Sequence, residues 1–219
     1  MISDEVLGMF ELSNDLLFGR IPEDKYRYYV EEPLRLGREA AEKVKGAGGI
    51  FALYEEAGIE IIYQEASGEN YGVSFRAQSE YGKDGSAKVL MYKQSIAELA
   101  KHSCDYVIGE EEALAVHHAF IIWVSQREIK DDRTQPYYSH GFVSDYLEPV
   151  QLVKLFGRRR QAGILRCSEI AAHAFAKEMM GLEILPNYYD YTWLMAGGKL
   201  RREDFLEKAR QFEEMVRMR

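Results

Sequence analysis

The sequence predicts an α+β fold in which a small sheet packs on helices. Apolar residues recur at helical spacing near both ends of the chain; at the C-terminus Phe205, Ala209, Phe212 and Val216 share one face. Between residues 58 and 93 the pattern changes to short, alternating runs rich in β-branched residues, which is typical of strands. No internal repeat and no low-complexity linker divides the chain.

The N-terminal part is predicted to be helical. Residues 3–18 form a loose apolar pattern, and a second helical stretch covers residues 23–45. Pro33 is expected to kink that stretch or to start a new helix, because proline cannot donate an interior hydrogen bond. We therefore divide the chain into an N-terminal helical extension, residues 1–22, and a single domain, residues 23–219.

The middle of the chain is predicted to form the sheet. After a short helix at 50–57, the runs at 58–64, 71–78 and 87–92 alternate between apolar and polar residues. Because these runs are short and close in sequence, we expect a small antiparallel sheet.

Helices are predicted for the rest of the chain. The longest uncharged stretch, residues 113–126, lies in the most apolar of them and indicates a central helix. It falls well short of the roughly 20 apolar residues that are needed to span a bilayer. The predicted helices cover residues 95–102, 110–124, 143–156, 168–180 and 202–218.

The charge balance restricts the classes of partner. The 219 residues include 28 Lys and Arg against 36 Asp and Glu, so the formal net charge is −8. Nucleic acids and anionic lipids attract positive charge, and we therefore expect no direct nucleic-acid binding and no membrane binding. The two cysteines, Cys104 and Cys167, form no disulfide framework, and acidic residues interrupt any signal sequence at the N-terminus. We expect a soluble, cytoplasmic protein.

Two pairs of residues are candidates for catalysis or metal binding. His117 and His118 lie in the central helix, where adjacent side chains point about 100° apart and cannot face one small site together. Glu169 and His173 are four residues apart, which places both on one helix face where they can share a metal ion. Partly buried core histidines and a surface Glu–His pair are the structural alternatives. His140, in a turn-rich loop, is interpreted as solvent-exposed, with an oxyanion- or ligand-binding role as its alternative.

Together these segments resemble the ImmA/IrrE-type metallopeptidases, a zincin-like family with a His-Glu-x-x-His helix and a second helix reading Glu-x-x-Ala-Asp/Asn-x-Phe-Ala. Residues 169–176, EIAAHAFA, match the second pattern, and Glu169 falls at the family's third zinc ligand. Residues 87–99, AKVLMYKQSIAEL, resemble the family's edge strand and the helix after it. The resemblance covers about residues 25–190 and implies a zincin-like fold.

The first motif departs from the family in this chain. His117 keeps the first histidine, but His118 stands at the position of the general base and Ile121 at the position of the second histidine. In that chemistry two histidines hold zinc and the glutamate activates water. The resemblance therefore implies a metallopeptidase-like fold whose peptidase activity is lost.

Three explanations stay open. The first is a degenerate zincin-like fold without a cofactor, acting as a protein-interaction or regulatory module. The second is a metal-dependent hydrolase with zinc relocated to His117, Glu169 and His173, which is a ligand set typical of catalytic zinc. The third is an unrelated helical protein. Members of the family often come from phage-like elements and act on repressor-type regulators, so the resemblance implies a protein partner of that kind.

Overall fold

The computed structural model describes residues 2–70, 73–82, 86–102, 110–126, 142–155 and 158–217. In these ranges helices and three small sheets form an α+β arrangement, as the sequence predicts. None of the described helices is long and apolar enough to cross a membrane. The elements are α1 Asp4–Leu12, α2 Tyr26–Gly46, α3 Gly49–Glu56, β1 Ile59–Gln64, β2 Gly68–Asn70, β3 Val73–Phe75, β4 Ala77–Tyr81, β5 Ala87–Tyr92, α4 Lys93–His102, α5 Glu110–Ser125, β6 Val150–Leu155, β7 Arg158–Ala162, α6 Arg166–Met180, α7 Tyr188–Ala196 and α8 Arg202–Arg217.

The largest described sheet has the order β1–β5–β4 and is mixed. β4 pairs antiparallel with β5, but β1 pairs parallel with β5, with Ile59 opposite Ala87. The expectation of a purely antiparallel sheet is therefore wrong. Residues 65–86 form a connection longer than the roughly dozen residues that a parallel crossover needs. β5, which we likened to the edge strand of the zincin-like family, lies in the middle of this sheet instead.

The predicted helix at 143–156 is also wrong. The chain forms only a 3₁₀ turn at Val143–Tyr146 and then a hairpin of β6 and β7. Pro149 accounts for the break, because proline lacks an N–H donor and disfavours the helical conformation of the preceding residue. β-branched Val150 and Val153 then favour the strand. The aromatic-rich helix α7 was not predicted from the sequence.

α2 continues through Pro33 as one helix, so it is not divided into two. Its close contact with α6 depends on Gly37. A side-chain carbon added at Gly37 would lie 2.2 Å from the carbonyl oxygen of Ala171. Only a residue without a β-carbon permits the two helix backbones to approach this closely.

α6 lies between the two hydrophobic clusters of the described chain. Its Cys167, Ile170 and Ala174 pack in one cluster with α1, the first half of α2, and α8, whereas Phe175 packs in the other with α5 and the mixed sheet. α1, the main helix of the proposed N-terminal extension, is buried in the first cluster. Phe10 of α1 makes ring contacts with three aromatic side chains, those of Tyr191, Phe205 and Phe212.

Candidate functional site

His117 of α5 and Glu169 of α6 are in direct contact. His117 is 4% exposed, and its Nε2 lies 2.8 Å from Oε2 of Glu169. The two helices are held together by apolar packing, including a stack of Phe120 on Phe175 with ring centroids 4.7 Å apart. The structure thus brings together the two residues that the resemblance matches to ligand positions of the family.

His173 completes a three-residue group that we call the α5–α6 cluster: His117, Glu169 and His173. The ring centroids of His117 and His173 are 4.3 Å apart. Glu169 and His173 lie on the same face of α6 because one helical turn separates them. The Nδ1 atoms of both imidazoles are shielded from solvent and have no hydrogen-bond partner among the described residues.

Charges in the α5–α6 cluster are unequal. Burial works to raise the pKa of Glu169, but the hydrogen bond and charge of His117 outweigh it and lower that pKa to about 2. Burial, assisted by the charge of His117, holds the pKa of His173 well below its usual value. The cluster therefore combines an ionised carboxylate with a neutral imidazole at His173 near neutral pH.

His118 faces away from this cluster. Its Nδ1 lies 3.2 Å from Oγ of Ser79 on β4, and its ring is tilted by 73° to that of His117. Burial, followed by the charge of His117, lowers the pKa of His118 to about 3. An imidazole with so low a pKa is a weak general base at neutral pH. His118 thus occupies the base position without the properties of the glutamate that it replaces.

Ile121 lies one turn after His117 on α5. Its side chain is partly buried and packs against the hydrophobic cluster that contains the mixed sheet. Since isoleucine has no ligand atom, this position contributes only apolar surface.

Glu11 and Arg166 lie beside the α5–α6 cluster but were not predicted from the sequence. Oε1 of Glu11, at the end of α1, accepts a hydrogen bond of 2.8 Å from Nη1 of Arg166. Burial raises the pKa of Glu11, Arg166 opposes that change, and the nearby charge of Glu169 adds to it. Residues 166, 169 and 173 follow helical spacing, so the sequence could have indicated that Arg166 shares a face of α6 with Glu169 and His173. Glu11 comes from a distant helix, and no local pattern signals it.

Asp190 and Arg76 were also missed. They form an ion pair between α7 and the short segment that joins β3 to β4. Burial raises the pKa of Asp190, while the charges of Arg76 and then His117 lower it. Asp190 is thus close enough to feel the charge of His117, although α7 was not anticipated from the sequence.

The donor chemistry of the α5–α6 cluster suits zinc, but its spacing does not. The ionised carboxylate of Glu169 and the neutral imidazole of His173 are in the forms that bind metal. Two ligands of one tetrahedral zinc lie about 3.3 Å apart, so the His117–Glu169 contact would have to open by about half an ångström. Within the described residues no set of three or more His, Cys, Asp and Glu side chains is arranged to hold a metal ion. His140 lies outside the described residues.

Comparison of the chain with protein-family profiles, with curated proteins and with solved structures gives no match. What the protein does is therefore inferred from its own residues and their geometry.

Proposed function

We propose that this chain is a zincin-like protein of the ImmA/IrrE type that has lost peptidase chemistry and acts by binding another protein. The observation that carries the proposal is the direct contact of 2.8 Å between His117 and Glu169. These are the two residues that match ligand positions of the family, and in this chain they bind each other.

The packing of the motif helices supports the family part of the proposal. α5 lies against both α6 and the mixed sheet, so the histidine helix, the glutamate helix and the strands meet at one place. The match of residues 169–176 to the second family motif is a local sequence feature. The His117–Glu169 contact joins residues 52 positions apart, so it supports the proposal independently of that match.

The loss of activity follows from two positions on α5. The family's mechanism needs a carboxylate where this chain has His118, and it needs an imidazole where this chain has Ile121. His118 is hydrogen-bonded to Ser79, and its pKa of about 3 makes it a poor proton acceptor. We therefore infer a regulatory or interaction role, with a repressor-type protein as the partner that the resemblance implies.

Metal content and peptidase activity test this proposal. The purified protein is expected to contain less than stoichiometric transition metal and to leave unstructured peptide substrates intact. Hydrolysis that is abolished both by a chelator and by His117→Ala would contradict the proposal. Glu178→Ala, which changes an acidic residue of α6 outside the cluster, is the matched control for nonspecific effects.

A metal-dependent hydrolase is the second candidate function. The observation that favours it is the buried Nδ1 atom of His173, which has no hydrogen-bond partner among the described residues. Buried imidazole nitrogens without partners are costly unless a ligand satisfies them. His117, Glu169 and His173 would hold the ion, and zinc supplies Lewis-acid chemistry when bound.

Elemental analysis of wild type and of His173→Ala separates the two candidates. The relocated site predicts stoichiometric zinc in wild type and its loss in the variant. Zinc that persists unchanged in His173→Ala would contradict the relocated site, and its absence from both proteins would favour the interaction role. Circular dichroism of both proteins checks that the variant is folded.

A further inference from the structure

Exposed apolar side chains are concentrated around the start of α6. Eight large hydrophobic side chains are exposed in the described chain, and four of them lie in the segments that meet there. Leu16 is 99% exposed and Leu165 is 68% exposed, which are extreme values for leucine. We call the following four residues the rim patch: Leu16, Phe142, Tyr146 and Leu165.

A hydrogen bond joins the chain neighbours of the two leucines. Oδ2 of Asp15 accepts a bond of 3.0 Å from the backbone N–H of Arg166, and its Oδ1 accepts one of 2.8 Å from that of Leu17. Leu16 and Leu165 are therefore the chain neighbours of two residues that bind each other. Their backbone is ordered by these bonds, so ordering the leucines on binding costs less conformational entropy.

The 3₁₀ turn adds the two aromatic residues of the patch. The backbone N–H of Ser144 donates a bond of 3.2 Å to Oγ of Ser168. A side-chain carbon at Gly163 would lie 3.2 Å from the carbonyl oxygen of Ser144, so the turn rests directly on the segment that contains Leu165. Phe142 and Tyr146 flank this contact and are 42% and 48% exposed.

Three acidic side chains lie beside residues of the rim patch. Asp15 lies next to Leu16, and Asp145 lies inside the turn, where it accepts the N–H of Phe142. Glu169 is one helical turn from Arg166, a cation that is itself bound to buried Glu11. A neighbouring apolar and acidic surface is complementary to a segment that carries both leucine-type side chains and positive charge.

We propose that the rim patch docks a basic, amphipathic helical segment of a partner protein. The inference deepens the interaction role proposed above and rests on it. Acidic residues repel an anionic membrane, because like charges would meet there. For the same reason they disfavour binding of a second copy of the same patch. A basic helix places apolar side chains on the leucines and cations against Asp15, Asp145 and Glu169.

Two synthetic peptides of about 18 residues test the proposal, since that length gives five turns of helix. One combines a leucine face with lysines and the other combines the same leucine face with glutamates. Fluorescence anisotropy is expected to show binding of the lysine peptide at least about tenfold tighter than that of the glutamate peptide. The double variant Leu16→Ser, Leu165→Ser is expected to weaken lysine-peptide binding by about tenfold or more.

The matched control is Phe51→Ser, Leu206→Ser, which removes two exposed apolar side chains elsewhere and is expected to change binding by less than about twofold. Equal binding of both peptides, no binding of either up to about 0.1 mM, or equal loss in patch and control variants overturns the proposal. A wild-type dimer that the patch variant dissociates, or leucine-dependent binding to phosphatidylserine vesicles, also overturns it. Chelator-sensitive peptidase activity in the same samples would refute the interaction role. The peptide-binding measurements would still show whether the rim patch is a docking surface.

Discussion

Glu11 and Glu169 are both carried by helices toward His117, yet their pKa values move in opposite directions. At Glu11 burial is the largest effect and raises the pKa, even though Arg166 is hydrogen-bonded to it. At Glu169 the hydrogen bond and charge of His117 outweigh burial and lower the pKa to about 2. The side chain of Arg166 is 43% exposed whereas that of His117 is 5% exposed. Glu11 is also the more buried carboxylate, 11% exposed against 36% for Glu169. The comparison teaches that the pKa of a carboxylate depends both on its own burial and on how well its partner is shielded from water.

The largest effect is expected at the contact between α2 and α6, because α6 carries both Glu169 and Arg166, the partner of Glu11. Gly37→Ala places a carbon 2.2 Å from the carbonyl oxygen of Ala171 and would push α6 away from α2. We expect unfolding to become easier by about 3 kcal/mol, measured by urea denaturation. Gly46→Ala is the control, because nothing lies within 4 Å of that position. Equal stability of the two variants would show that the close helix contact is not required.

The ion pair of Glu11 comes next. Arg166→Met leaves Glu11 buried without its cation, so we expect a loss of about 2 kcal/mol at neutral pH, reduced from the fully buried case because Arg166 is partly exposed. The loss should diminish as the pH falls and Glu11 becomes protonated. Arg35→Met, at a surface ion pair, is expected to change stability little. A pH-independent loss in Arg166→Met would indicate lost packing rather than lost charge.

The pH dependence of stability distinguishes the two glutamates by sign. Glu169 has a folded pKa of about 2, below its usual value of 4.5, so its contribution is present above pH 4.5 and is lost as the pH falls toward 2. Glu11 has a raised pKa, so its effect is the reverse: stability decreases as the pH rises from 4.5 through the folded pKa.

Glu169→Gln is therefore expected to remove about 1 kcal/mol of the stability that wild type loses as the pH falls toward 2. This value is discounted because the side chain is 36% exposed. Glu11→Gln should instead remove the decline toward higher pH. Thermal unfolding between pH 2.5 and 7 measures both slopes. Identical profiles for the two variants would contradict the opposite shifts.

The smallest effect is expected on the other side of α5. Ser79→Ala removes the hydrogen bond to Nδ1 of His118 and should cost about 1 kcal/mol or less. Since His118 makes the bond, its imidazole NMR signals should shift more than those of His117 and His173. Equal shifts of all three imidazoles would contradict this assignment of the hydrogen bond.

Local patterns in the sequence were sufficient for several parts of the fold and of the site. Apolar spacing located α5, α6 and α8, and alternation located β1 and β5, because both follow from the repeat of a single element. The shared face of Glu169 and His173 is a consequence of helix geometry in the same way. Local patterns failed at 143–156, where Pro149 and the β-branched valines outweighed apolar spacing.

The amino-acid order therefore settles which residues form most of the elements and which of them share a face, since those properties depend on a few neighbouring residues. Packing settles which faces meet. The parallel pairing of β1 with β5, the contact of His117 with Glu169, the approach of Glu11 and the turn of His118 toward Ser79 all join separate elements. Such contacts depend on how apolar faces and a close approach at Gly37 orient whole helices, and spacing along one element contains no information about its neighbours.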